Sequence, residues 1–138
     1  MSPMTVFVLA QVAPLPFWIS LLFPTWRVAR WVAFGPWFIV LGGAAYGWAL
    51  SQAPSGGSSF ADVLRFFSSQ WGALTVWFHL VVVDFLAGAW VARDAQRLGV
   101  RAWVVAPVLG LTLFFAPLGL VLWLVVRGVW KGVWRLDA

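Results

Sequence analysis

Residues 77–90 read Trp77-Phe78-His79-Leu80-Val81-Val82-Val83-Asp84-Phe85-Leu86-Ala87-Gly88-Ala89-Trp90. They sit within an apolar run long enough to cross a bilayer, and they carry the chain's single histidine together with an aspartate. Ionisable side chains at that depth are costly unless neighbours satisfy them, so each becomes a functional candidate. The same run sets the class of the protein. Of 138 residues, 63% are hydrophobic and only 9% charged, against about 25% charged in soluble domains. A transmembrane β-barrel would alternate polarity in short segments, and these long unbroken apolar runs do not. The expected fold is an all-α integral membrane four-helix bundle.

Each span needs roughly 20 apolar residues, so the length suits a single transmembrane domain over residues 1–138. The four spans fall at about residues 4–23, 30–52, 71–93 and 103–126. Residues 1–23 have no basic leader, and Pro14 and Pro16 interrupt their apolar stretch. They read as a retained first helix rather than a signal peptide, kinked where proline removes a backbone donor. Gly42-Gly43, Gly47 and Gly88 leave room for close helix approach. The fourth span carries Pro107, Gly110, Pro117 and Gly119, and the carbonyls freed by those breaks need neighbouring partners.

Between the second and third spans lies Ala53-Pro54-Ser55-Gly56-Gly57-Ser58-Ser59, a flexible loop by composition. Phe60, Val63, Leu64, Phe67 and Trp71 then recur at helical spacing around Asp62 and Arg65. That spacing predicts a short interfacial amphipathic helix over about 58–70, capped by Ser58 or Ser59. The alternative is an outward extension of the third span. Twelve tryptophans stand out. Trp18, Trp26, Trp31, Trp71, Trp103, Trp130 and Trp134 fall near expected span ends as an aromatic belt. Trp37, Trp48, Trp77, Trp90 and Trp123 lie deeper, where they either pack or wall a cavity.

Net charge is +5, from nine Lys and Arg against four Asp. Arginines at helix ends snorkel to headgroups and attract anionic lipid, so membrane lipid is an expected partner. No basic patch with interleaved polar readers is present, which excludes nucleic acid. Four continuous spans put Arg27, Arg30, Arg93, Arg97 and Arg101 on one side, and Arg65, Arg127, Lys131 and Arg135 on the other. The absence of basic residues before the first span then favours both termini outside. Cysteine is absent, which removes disulfides, thiol catalysis and Cys-ligated clusters. One His and four scattered Asp lack the clustered ligands zinc requires, so neither metal nor cofactor is expected.

At about 100° per residue, His79, Leu86, Trp90, Arg93 and Arg97 form one stripe of the third span. Asp84, Gly88 and Ala95 form another, about 140° round from His79. His79 and Asp84 therefore cannot pair directly along a straight helix, and the third span should be central in the bundle. Three roles stay open for His79: a hydrogen bond to another helix, proton transfer in a ligand pocket, or metal or haem ligation. Asp84 either pairs with an Arg or with Thr112, or acts chemically. Arg93-Asp94-Ala95-Gln96-Arg97 closes the span, with Gly99 as its stop. Arg93 is either a solvated helix end or an inward partner for a carboxylate or ligand oxygen.

The pattern Trp77-x-His79-x-x-x-x-Asp84-Phe85-x-x-Gly88-x-Trp90-x-x-Arg93-Asp94-Ala95-x-x-x-Gly99 resembles the plant neoxanthin-synthase-like (abscisic-acid-deficient-four-like) membrane family. The likeness continues through Pro107, Leu111-Thr112, Pro117-x-Gly119-Leu120 and Arg127. It begins at Leu15-Pro16-Phe17-Trp18 and Pro24-Thr25-Trp26, and so covers about residues 15–127. The chain lacks the Pro-His pair of plant members at Gly99-Val100-Arg101-Ala102, and a plastid transit sequence. This points to a bacterial-type relative in the inner (cytoplasmic) membrane.

The resemblance implies a role in carotenoid metabolism, where plant members are needed to convert an epoxide into an allene. That isomerisation needs an acid and a base but no redox cofactor. It would make His79 the base and Asp84 the acid, or the reverse, with Trp77, Trp90, Arg93 and Thr112 contacting a carotenoid or other apolar ligand. The runner-up comes from a different class: a non-catalytic membrane scaffold or subunit whose buried polar residues serve helix packing. A small proton-linked transporter ranks third, because no inverted repeat is visible. Close-packing glycines make a homo-oligomer plausible.

Overall fold

The computed structural model describes residues 1–23 and 27–134. Pro24, Thr25, Trp26 and Arg135, used in the sequence reading, lie outside them. The described residues form eight helices and no strand, so the all-α class holds. The helices are α1 (Pro3–Val12), α2 (Leu15–Leu22), α3 (Arg27–Phe34), α4 (Trp37–Gln52), α5 (Phe60–Ser68), α6 (Gln70–Arg97), α7 (Ala102–Phe114) and α8 (Ala116–Lys131). Three stretches are long and apolar enough to cross a membrane: Pro3–Leu22, Arg27–Gln52 and Gln70–Arg97. The first is interrupted between α1 and α2 at Ala13-Pro14, as its prolines predict. The second breaks at Gly35-Pro36, where proline cannot extend the preceding hydrogen-bond ladder.

The chain divides into two compact units. One comprises Met1–Pro16 and Pro36–Val83; the other comprises Phe17–Gly35 and the chain from Asp84 onward. In the first, Phe7 of α1 meets Trp77 of α6 with ring centroids 5.3 Å apart. Trp48 of α4 meets Trp71 edge-on at 5.1 Å. Gly42 allows α4 to approach α6, because a Cβ there would fall 2.4 Å from Val82 Cγ2. Gly43 and Gly47, by contrast, have open space around them.

The segment after the loop is a helix of its own. Ser59 caps α5: its Oγ accepts the Asp62 amide at 3.2 Å and donates to the Asp62 carboxylate at 2.5 Å. Ser69 then breaks the helix with extended dihedrals, φ −80° and ψ 143°, and its Oγ accepts the Gly72 amide at 2.9 Å. Any side chain at Gly72 would strike the Phe66 carbonyl. This corner separates α5 from α6, so the segment does not extend the third span. Phe60, Leu64 and Phe67 remain exposed on α5.

In the second unit, Gly88 of α6 is covered by Trp18 of α2, whose ring atoms would lie 2.6 Å from an added Cβ. Trp18 also meets Phe85 edge-on at 5.8 Å. It is buried core, not the belt residue its position near a span end suggests. Gly99, at φ 63°, stops α6 as expected. The bond from Val100 N–H to the Ala95 carbonyl, 2.8 Å long, closes the turn in the manner of a Schellman motif.

The largest departure concerns residues 103–126, which do not form one span. Phe115 leaves helical geometry at φ −146° and ψ 73°, and Pro117 falls in the first turn of α8. Proline there is preorganised for a helix start rather than disruptive. The chain reverses at this corner. Gly119 packs on Thr112 so tightly that a Cβ would lie 2.6 Å from the Thr112 Cα. At the far end, the rings of Trp103 and Trp130 are 6.2 Å apart. Helices α7 and α8 therefore form an antiparallel hairpin with arms of roughly 20 and 24 Å, each shorter than a hydrocarbon core of about 30 Å.

With no native cysteine, the hairpin can be tested by cross-linking. The double variant Trp103→Cys, Trp130→Cys should join rapidly with a short bis-maleimide in membranes. In a continuous helix the two positions would be about 40 Å apart, and no intramolecular product would form. Gly119→Leu should overpack the corner and cost about 1–3 kcal/mol, read as a lower melting temperature in detergent.

Candidate functional site

The most highly organised polar group in the molecule lies in the second unit. On α6, Trp90, Asp94 and Arg97 are spaced i, i+4, i+7 and share a face; on α8, Trp123 and Arg127 are spaced i, i+4. Asp94 is 5% exposed, while Trp123 and Arg127 are fully buried. The Trp123 indole N–H donates to Asp94 Oδ2 at 2.9 Å, and Arg127 Nη1 faces the same oxygen at 3.2 Å. Arg97 Nη2 donates to Oδ1 at 2.8 Å. The Arg127 guanidinium also lies 5.8 Å from the Trp90 ring centre. Two hydrogen bonds and an ion pair therefore converge on this carboxylate, and they tie α8 to α6.

The residues singled out in sequence are dispersed. His79 is exposed, with its ring 6.1 Å from that of Tyr46. Asp84 is half-buried. Neither makes a hydrogen bond or ion pair among the described residues. Trp77 packs on Phe7. Thr112 Oγ1 donates to the Val108 carbonyl at 2.8 Å, a bond within its own helix, so it is not the partner foreseen for Asp84. Arg93 lies over the Phe34 ring at 4.6 Å and donates to the Phe34 carbonyl at 3.4 Å. It therefore binds α3 to α6 and meets no carboxylate. Trp90 alone joins the polar cluster, through Arg127.

An open cavity of about 230 Å³ adjoins this region, lined by Leu21 of α2, Ala92, Ala95 and Gln96 of α6, and Val105 and Leu109 of α7. Among the described residues, no ionisable side chain lines it, and none of the deeper tryptophans walls it. Drug-sized ligands occupy roughly 300–1,000 Å³, so this space suits one end or one chain of a long lipid. Among the described residues, no group of three or more His or Asp could hold a metal ion.

Sequence reasoning passed over Asp94, Trp123 and Arg127 as a site. The signal was present: Arg127 is a lone cation between Val125-Val126 and Gly128-Val129, one turn after a tryptophan. A charge in that setting demands a counter-charge. The sidedness assigned to Arg127 is corrected by the same contact. The α7–α8 reversal returns it to the end of α6 that carries Arg97, rather than to the opposite side.

The family model described as ABA DEFICIENT 4-like matches residues 5–123, most of the chain. No curated protein and no solved structure matches it.

Removing the Arg127 charge alone should be severe. Arg127→Met leaves the buried Asp94 charge with the half-exposed Arg97 as its charged partner and should cost about 3–5 kcal/mol. The double variant Arg127→Met, Asp94→Leu should recover much of that loss, and Arg97→Ala, on the exposed side, should cost under about 1 kcal/mol. Thermal unfolding in one detergent would rank the three. Equal losses for the single and double variants would contradict the pairing.

Proposed function

The chain belongs to the ABA DEFICIENT 4-like family, and from that premise we propose an integral membrane protein that binds an apolar lipid of the carotenoid class. In this reading its three long apolar stretches cross the bilayer. Seven of the eight described basic residues (Arg27, Arg30, Arg93, Arg97, Arg101, Arg127 and Lys131, but not Arg65) belong to the second unit. Under the positive-inside tendency, that asymmetry supports an orientation with the α6 C-terminus in the cytoplasm of a bacterium. In this reading the N-terminus lies outside and the C-terminus inside.

One observation carries a chemical role. Asp62 is engaged with Ser59 and Arg65, and Asp94 with Trp123, Arg97 and Arg127. His79 and Asp84 are the ionisable groups left for proton transfer in the third span. An isomerase that opens an epoxide would draw its acid and base from them. Because they project about 140° apart on one helix, an acid and a base meeting on one ligand would come from two copies of the chain. The second reading, a non-catalytic subunit, is favoured by the Asp94 cluster between α6 and α8 and by a cavity without ionisable lining.

Purification from a carotenoid-producing host should give a preparation with the structured visible absorption of a polyene. A colourless preparation from pigmented cells would count against carotenoid binding. His79→Ala and Asp84→Asn should fold, with melting temperatures within a few degrees of the parent, and should each alter the pigment profile of an active strain. If both fold and leave the profile unchanged, the non-catalytic reading stands.

A further inference from the structure

We infer that the cavity between α2, α6 and α7 seats one acyl chain of an anionic glycerophospholipid, with the phosphate held by Arg101 at its rim. The cavity and that charge are contiguous in the chain. Val100 and Ala102 both line the cavity, and Arg101 stands between them with its side chain exposed. Arg97 takes no part: it projects about 100° round α6 from the lining residue Gln96, and its Nη2 is bonded to Asp94. Arg101 makes no ion pair among the described residues.

Charge selects the occupant. The described part of this unit holds seven basic residues against Asp84 and Asp94, and Asp94 is already consumed by Arg127 and Arg97. At the rim, Arg101 thus presents a positive charge that no described acidic residue neutralises. Basic pockets beside transmembrane helices recognise anionic headgroups on this principle. Arg101 is also the N-cap of α7 and supplies no side-chain cap. The lining, apolar except for Gln96, takes the hydrocarbon, and a volume of about 230 Å³ holds part of a lipid rather than a whole one.

The test is native mass spectrometry of the detergent-purified chain with added dioleoyl phosphatidylglycerol, dioleoyl phosphatidylcholine or dioleoylglycerol. The wild type should take up phosphatidylglycerol at least several-fold more than the other two. Arg101→Gln should lose that preference while keeping its melting temperature. Ala95→Trp, which fills the cavity, should lose uptake of all three lipids. If that variant does not fold, Ala102→Leu at the cavity edge serves instead, with the same loss expected. Equal uptake of phosphatidylglycerol and phosphatidylcholine by the wild type would overturn the headgroup assignment. Undiminished phosphatidylglycerol uptake after cavity filling would overturn the acyl-chain site. Pigment absorption is a separate readout, so this result and the carotenoid reading can fail independently.

Discussion

A carboxylate enclosed between two apolar helices is stable only while every acceptor site it offers is answered. In this protein that constraint falls on Asp94, and it is met by Arg127, Arg97 and Trp123. Removing Arg127 would leave the buried carboxylate with the half-exposed Arg97 as its charged partner, so the pair fixes the two helices against each other. The result is a fixed register between α6 and α8. Hydrophobic contact alone specifies register weakly, since one apolar surface slides readily on another, whereas a buried ion pair with a tryptophan donor fits one alignment.

That pair also accounts for the shape of the C-terminal region. Arg127 reaches Asp94 only because the chain turns at Phe115, and the turn is tight only because residue 119 has no side chain to hold it away from Thr112. The hairpin in turn places α7 beside α6 and α2, with the apolar cavity among them. Corner, ion pair and cavity are thus linked features of one unit. The other unit is organised differently, by aromatic contacts such as Phe7–Trp77 and Trp48–Trp71 and by the close approach of Gly42 to Val82.

Much of this was legible in the residues. The apolar runs gave three membrane-capable stretches, Pro14 marked the break in the first, Gly99 stopped α6, and the Ser59-x-x-Asp62 pattern capped a separate α5. These are local signals with local causes. The hairpin was missed because proline was weighed as a helix breaker within a span, although the same residue at the start of a helix is favoured. Total hydrophobic length counted a span without asking whether the middle reversed. Arg93 and Thr112 were assigned to a ligand because their neighbours were not visible in sequence; one binds the Phe34 carbonyl and the other its own helix. His79 and Asp84 are ionisable groups in an apolar helix, but periodicity shows only that they face apart, not what each faces.

The buried guanidinium on α8 has a bearing on how the chain is assembled. A helix with arginine deep in its apolar stretch is a poor candidate to enter lipid by itself, since the charge would have no counterpart there. Once α6 is present, its carboxylate supplies that counterpart, and the same arginine becomes a reason to dock. Synthesis delivers α6 first and α8 last, so chain order and electrostatic need agree. The C-terminal arm behaves as a bolt slid home after the long helices are set, and any truncation upstream of residue 127 would leave Asp94 without its buried counter-charge.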